Sequence, residues 1–537
     1  MGSLDARRWT PWAAALLPLA IYVWTAAGHG YWLDSAEFTA AAVGLDIPHP
    51  PGHPLFALWS IPFTWLPVGP LPFRVAVGQA VAAAGALWFV QRALMHSLRA
   101  SGLTDGAFLA LAGSWSLAGA YGFWFQAVRA EVYALQALLV CAAFERVAAW
   151  ACDRDDPRPL YGACLALGLG LANHHFIAVL ALPVLTWPAY DALRRQGLRA
   201  LGCALALGAL GCVCYVYLPL RALGEPRMDL GDPRTLRDLW WVISAQVYAR
   251  RIGTGAVQPL AERFADLTVI LYEQLGPLLL PALLGGYAIL RTRSTWPLAS
   301  LWWTAGMISL CGRAWLNEVR ANPDVLGYMI PGFFALVALA ALGLGTIART
   351  LGRTGFTRVL PWLALLSFGA HSERASLHDF RATDVFDDLR RRALPPRSVV
   401  VLTTPDTVFR HWEGEAVEQL RPDVTMLPLP FLGYGGSDRV WLRRDPALRP
   451  MVDAFARDGT LSAQALRELA RTRPVFVELD TSTTLPIYAE VAPWGWLYRV
   501  GGPPAPPPPS TIAHDEVETA KQLLWTYYVE TLYYASH

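Results

Sequence analysis

Apolar runs of about 20 residues follow one another along roughly the first 370 positions, each long enough to cross a bilayer core of about 30 Å. The polar interruptions between them are short. This pattern predicts membrane spans at 9–27, 73–96, 106–124, 128–150, 160–173, 175–190, 200–219, 267–290, 295–312, 326–347 and 359–371, about eleven in all. Beyond His371 charges, prolines and short apolar runs alternate, and none of these runs could span. The expected organisation is a membrane domain over 1–371 followed by a separate domain over 372–537.

Within that second part, "RSVVVLTTPDTVFRHWEG" reads as a buried strand, a turn and a helix, "RPDVTMLPL" and "RPVFVELD" supply further strands, and Leu461 to Leu469 reads as a helix. The expectation is an α/β domain of modest size. A proline-rich linker, "GGPPAPPPPS", then leads to the amphipathic segment "HDEVETAKQLLWTYYVETLYYASH".

Composition agrees with a polytopic α-helical membrane protein, since 54% of the 537 residues are apolar and only 16% are charged. A net charge of +2, with arginines scattered among loops, argues against nucleic acid as a partner. The seven cysteines all fall in or beside apolar runs and form neither a disulfide framework nor a zinc pattern. Trp9 to Ala27 follows Arg7 and Arg8 as the core of a signal peptide would, but no clear small-residue cleavage site comes after it, so it reads as a retained first span.

Arginines orient the chain. With Arg7 and Arg8 in the cytoplasm, the inner loops hold Arg92 and Arg99, Arg154 and Arg158, Arg194, Arg195 and Arg199, Arg291 and Arg293, and Arg349, Arg353 and Arg358. An odd span count then places the C-terminal domain outside. The same orientation puts "LDSAE", "VRAEVY", "ANHH", "LPLRA" and "NEVRANPD" at outer ends of spans or in outer loops. Single polar motifs of this kind are ordinary loop chemistry, whereas five at one face point to a site there.

In "YWLDSAEFTAAAVGLDIPHPPGHPLF" the carboxylates of Asp34 and Glu37 are three residues apart on one face of a short helix. Two readings stay open: an N-cap with its capping box, or a catalytic pair. Pro48, Pro50, Pro51 and Pro54 then stiffen a loop that carries His49 and His53, which could donate to an anion or ligate a metal, although their spacing matches no strong metal signature. "PLFALWSIPFTWLP" reads as an interfacial segment.

Several stretches taken together resemble a family. "DSAEF…HPPGHPLF", "QAVRAEVYALQALL", "GLANHHF", "YLPLRA" with "GDPRTLRDLWWVISAQVY", and "VVVLTTPDTVFRHWEGEAVEQLRPDVTMLPLPFL" are similar, in order and over nearly the whole chain, to a widespread family of bacterial polytopic proteins. Its eukaryotic relative is an endoplasmic-reticulum protein O-mannosyltransferase. The resemblance implies a GT-C glycosyltransferase of the bacterial inner membrane, with an extracytoplasmic C-terminal domain and a polyprenyl-phosphate sugar as donor. It also implies a catalytic carboxylate in the first outer loop, where Asp34 stands, with Glu37 as substitute base or acceptor guide. Protein, lipid and glycan acceptors all stay open, as does the sugar.

A departing lipid phosphate calls for cationic or hydrogen-bonding partners, and Arg129, Arg221, Arg320, His174 and His175 stand at outer ends, with Arg221 the first choice because it directly ends a span. The bland reading of each arginine is interfacial snorkelling. Glu131, Tyr133 and Tyr328 match family motifs without an assigned task. No cofactor is firmly implied, and a divalent metal stays compatible. Thr404-Pro405-Asp406 departs from the family's acidic, Asn-containing turn, which leaves acceptor recognition or a structural lid to the C-terminal domain. A transporter or lipid flippase would also have about a dozen spans, but would place its polar groups near the bilayer midplane, and the chain shows no internal repeat. A scaffold is a third reading.

Overall fold

The structure is a computed structural model that describes residues 3–103, 106–249, 259–316, 323–387, 391–480, 482–495 and 497–502. The proline-rich linker beyond 502 and the amphipathic C-terminal segment lie outside these. Contacts divide the chain into two units that interleave in sequence: Met1–Ala26, Ala76–Tyr215 and Ala256–His378 form one, and Ala27–Val75, Val216–Gly255 and Asp379–His537 the other.

The first unit is helical. Among the described residues, six helical runs are long and apolar enough to cross a membrane: Leu71–Ala100, Val132–Cys152, Arg158–Gln196, Leu198–Leu223, Leu260–Arg291 and Asp324–Thr350. Ala107–Ala118 is apolar but shorter. This is an integral membrane protein. The most apolar 18-residue stretch of Asp324–Thr350 is 89% buried, whereas that of Leu198–Leu223, at 17%, leaves most of its apolar surface outward as lipid contact requires. The 39-residue run Arg158–Gln196 would be about 58 Å long if straight, roughly twice a bilayer core. It breaks at His174, where φ −144° and ψ 91° are not helical. That residue lies between the expected spans 160–173 and 175–190.

Apolar helices in lipid gain little by burying more apolar surface, so small residues that admit close backbone approach decide where they cross. Leu279–Arg291 meets Asp324–Thr350 in this way. A Cβ on Gly285 would fall on the Leu339 carbonyl oxygen, and one on Gly343 on the Pro281 carbonyl. Gly168 is held against the Gly208 backbone by the same kind of contact.

The second unit contains a five-stranded sheet, β1 (Val399–Leu402), β2 (Thr425–Pro428), β3 (Val475–Val477), β4 (Val491–Trp494) and β5 (Leu497–Val500), in the order β2-β1-β3-β5-β4. The β-branched run of β1 is buried throughout and pairs in parallel on both sides, Val400 opposite Met426 and Phe476. β5 runs antiparallel to both β3 and β4. The helices Pro405–Ala416, Arg449–Asp458 and Ala463–Ala470 bring Phe409, Trp412, Met451 and Leu466 into the core of this unit. Ala36, Ala40 and Ala41 join the same core from the helix Asp34–Gly44. Its alanine run therefore serves close packing against Pro405–Ala416, not membrane passage.

Gly285→Leu must displace a backbone carbonyl, so thermal unfolding in detergent should show a loss of stability of about 1–3 kcal/mol. Gly202→Leu, where a Cβ would meet nothing within 4 Å, should unfold like the parent. Equal midpoints for the two variants would show that the close crossing is not needed.

Candidate active site

Asp34 and Glu37 both lie in the first turn of Asp34–Gly44, as the spacing predicts. Neither acts as the cap. The cap position is Leu33, at φ 60°, without a side-chain cap bond, and its N–H donates to Asp406 Oδ1 at 3.0 Å. Asp406 thus does what the glutamate of a capping box would do. Glu478 at the end of β3 steadies the turn before it, accepting from the Thr403 and Thr404 amides and from Thr407 Oγ1 at 2.9–3.2 Å.

Glu37 instead turns to the proline-stiffened loop. Its side chain is fully buried, with one oxygen accepting from the His49 amide at 2.6 Å and the other 2.5 Å from His49 Nδ1. An ionised carboxylate can only accept, which assigns the Nδ1 hydrogen to the ring. His49 Nε2 then faces Asp34, 3.9 Å from Oδ2. Asp34 is 37% exposed and Glu37 0%, so Asp34 is the carboxylate that an incoming hydroxyl can reach. Phe38 packs its edge against His53 at 5.2 Å, and His53 lies 5.2 Å from the His49 ring.

At the other end of the helix Leu45 is left-handed, with φ 54° and ψ 41°. Its carbonyl accepts from Arg221 Nε at 2.6 Å, while the terminal nitrogens of Arg221 make no hydrogen bond or ion pair among the described residues. Asp46 is buried, accepts from the Arg227 amide at 3.0 Å and from Trp412 Nε1 at 3.2 Å, and is pushed up to about 6 by that burial. Asp46 and Glu478 went unnoticed in the sequence, and Asp406 was noted there only as part of a turn that departs from the family pattern. Each is one acid in a polar turn or at a strand end, and only its fold partners mark it.

In the first unit Arg129 is fully buried. Its guanidinium bonds Glu131 at 3.0 Å, Gln126 at 2.9 Å and Asp324, and stacks on Phe125 at 4.7 Å. Glu131 caps Val132–Cys152 by accepting from the Val132 amide at 3.3 Å. Arg129 therefore holds this loop to the start of Asp324–Thr350. Tyr328 and His174 meet edge to face at 5.1 Å, with Tyr133 5.5 Å from Tyr328. His175 is half-buried beside them. Arg320 lies outside the described residues.

Asp34, Glu37 and His49 offer ligand atoms within 4.8 Å of one another, close enough to share a divalent cation. His49 Nε2 and Asp34 could bind one without disturbing the Glu37 bond, which would then orient the histidine.

The matching stretch begins at this helix. Residues 34–196 match the model of the protein O-mannosyl-transferase TMEM260 N-terminal domain. The resemblance drawn from the motifs holds. Over 446 residues, 75% of this chain, the sequence is 29% identical to protein O-mannosyl-transferase TMEM260 of Mus musculus, and it spans 60% of that protein's length. In fold it is similar to ArnT from Cupriavidus metallidurans bound to undecaprenyl phosphate, with a TM-score of 0.58 and 12% identity over 91% of this chain and 97% of the other. The apo ArnT structure gives a TM-score of 0.52 and 14% identity over 91% and 96%. The chain shares its fold with these ArnT structures.

Burial raises the Asp46 carboxyl, so its contribution to stability is full below about pH 4 and is lost as the pH rises through about 6, a change on the order of 3 kcal/mol. Thermal midpoints of the parent and of Asp46→Ala, measured from pH 4 to 7.5, should converge as pH rises. A constant gap would mean that Asp46 ionises in the fold as it does in the open chain.

Proposed function

We propose that the protein is a membrane glycosyltransferase that moves a sugar from a polyprenyl-phosphate carrier to a hydroxyl of a protein, lipid or glycan acceptor, with Asp34 as the base. One observation carries the reading. The helix that opens the matched protein O-mannosyl-transferase segment presents a part-exposed carboxylate beside a histidine locked by a buried glutamate.

In this reaction the acceptor oxygen bonds to the anomeric carbon while the bond from that carbon to the phosphate oxygen breaks. The electron pair leaves with the phosphate, and the acceptor's proton passes to Asp34. A single displacement inverts the configuration. Glu37 is a positioning residue that fixes His49, whose Nε2 faces the carboxyl that takes up the proton. Arg221 supplies the fork for the departing phosphate, since its terminal nitrogens are uncommitted among the described residues. The likeness in fold to ArnT bound to undecaprenyl phosphate supports a lipid-phosphate donor. This reading has an inner membrane with about eleven spans, a cytoplasmic N-terminus, and the α/β part outside. His53, His174, His175, Arg320 and Tyr328 stay with substrate contacts, while Arg129 and Glu131 hold their own loop to the start of Asp324–Thr350.

Asparagine cannot take a proton from the acceptor at neutral pH. Asp34→Asn should therefore lower the initial transfer rate from a polyprenyl-phosphate sugar by about two to four orders of magnitude, with donor affinity little changed. Glu37→Gln should cost less, because it disturbs His49 and not the base. Full activity in Asp34→Asn would remove Asp34 from the chemistry.

Arginine's planar fork suits phosphate better than a point charge does. Arg221→Ala should weaken donor use more than Arg221→Lys, read as the rate at limiting donor. Equal rates in parent and both variants would leave Arg221 only its bond to Leu45.

A further inference from the structure

We infer that the first unit carries a second anion site, for the phosphate headgroup of an anionic membrane lipid, in the cavity lined by Arg7, Arg92, His96 and Arg99. The cavity holds about 170 Å³, over ten times the roughly 10–15 Å³ that one water needs. Met95, Leu103 and Ala107 complete its wall, so the basic groups share the space with apolar ones. Arg92 and His96 are held in place, while Arg99 is exposed. Glu145, fully buried, accepts from Arg92 Nε at 3.0 Å, lies 3.3 Å from His96 Nε2, and is also held by Arg146. Arg92 further stacks on Trp88 at 4.7 Å. Arg99 makes no side-chain hydrogen bond or ion pair among the described residues, which leaves charge on the wall for a ligand to answer.

Within the first unit the cavity lies apart from the clasp around Arg129. Glu131 caps the start of Val132–Cys152, and Glu145 lies 14 residues further on, about 21 Å along the helix. Three arginines around a cavity with an apolar wall, at the last turns of a spanning helix, suit a phosphate diester whose acyl chains continue into the bilayer. Free phosphate offers the same head chemistry without the chains. The apolar wall favours the lipid.

Native mass spectrometry of the full chain, released from nanodiscs of phosphatidylglycerol or of phosphatidylcholine, tests this. The parent should retain phosphatidylglycerol and shed phosphatidylcholine. Arg99→Gln, which breaks no bond, should weaken retention about fivefold, and Arg92→Gln with Arg99→Gln by more than that. Arg158→Gln, an exposed arginine away from the cavity, should bind as the parent does. Met95→Trp, which fills the cavity without changing charge, keeps the test clear should Arg92→Gln unfold, and should also lose the lipid. Displacement of the lipid by millimolar inorganic phosphate would assign the site to soluble phosphate. Undiminished retention in both Arg99→Gln and Met95→Trp would overturn the site.

Discussion

A fully buried carboxylate with two hydrogen bonds to one histidine sets the geometry of the candidate site. Burying the charge of Glu37 costs several kcal/mol unless its lone pairs are met, and among the described residues it is met only by the amide and ring of His49. That requirement fixes the loop, the ring plane and the tautomer at once. Prolines on both sides of His49 make the arrangement affordable, because little backbone freedom is left to lose. Asp34 then has a defined neighbour in Nε2 while its own side chain stays part-exposed.

Local rules made part of this legible. The three-residue spacing placed Asp34 and Glu37 on one turn, and the β-branched "VVVL" marked the central strand of the sheet. Where the partner lay far along the chain, the local signal misled. "DSAE" looks like a capping box, yet the cap bond comes from Asp406, 373 residues away, and Glu37 is drawn to a residue 12 positions on. Arg129 read as a phosphate ligand because it stands at the outer end of an expected span, but Asp324, 195 residues away, completes an acidic clasp around it. Hydropathy marks where apolar runs lie, but not how a kinked run such as Arg158–Gln196 divides, since the break is a single residue's backbone angles.

The two arginines described at candidate positions show why residue type alone did not separate them. Each ends or adjoins an apolar segment, and each carries five donors. Burial decides: Arg129 has no exposed side-chain surface and needs anions of its own to be stable there, so its donors are spent on Glu131, Gln126 and Asp324. Arg221 is half-buried and uses Nε on a carbonyl, and its terminal nitrogens make no hydrogen bond or ion pair among the described residues. A guanidinium can serve a transient phosphate only where permanent carboxylates do not already satisfy it.

The helix Asp34–Gly44 is held at both ends in conformations that favour glycine, with Leu33 at φ 60° and Leu45 at φ 54°. Each costs on the order of 1–3 kcal/mol and persists only where surrounding structure over-determines it. Here it does, since the Leu33 amide is bound by Asp406, the Leu45 carbonyl by Arg221, and the adjoining Asp46 by Trp412, while the alanine face is packed into the core between them. Such expenditure on an 11-residue helix serves rigidity more than stability, because a freely capped helix would be cheaper. Rigidity is what a general base requires, as its effect depends on meeting the proton at hydrogen-bond distance without reorganising first. The strain at the two ends and the buried glutamate in the first turn therefore act toward one result, a fixed position for Asp34.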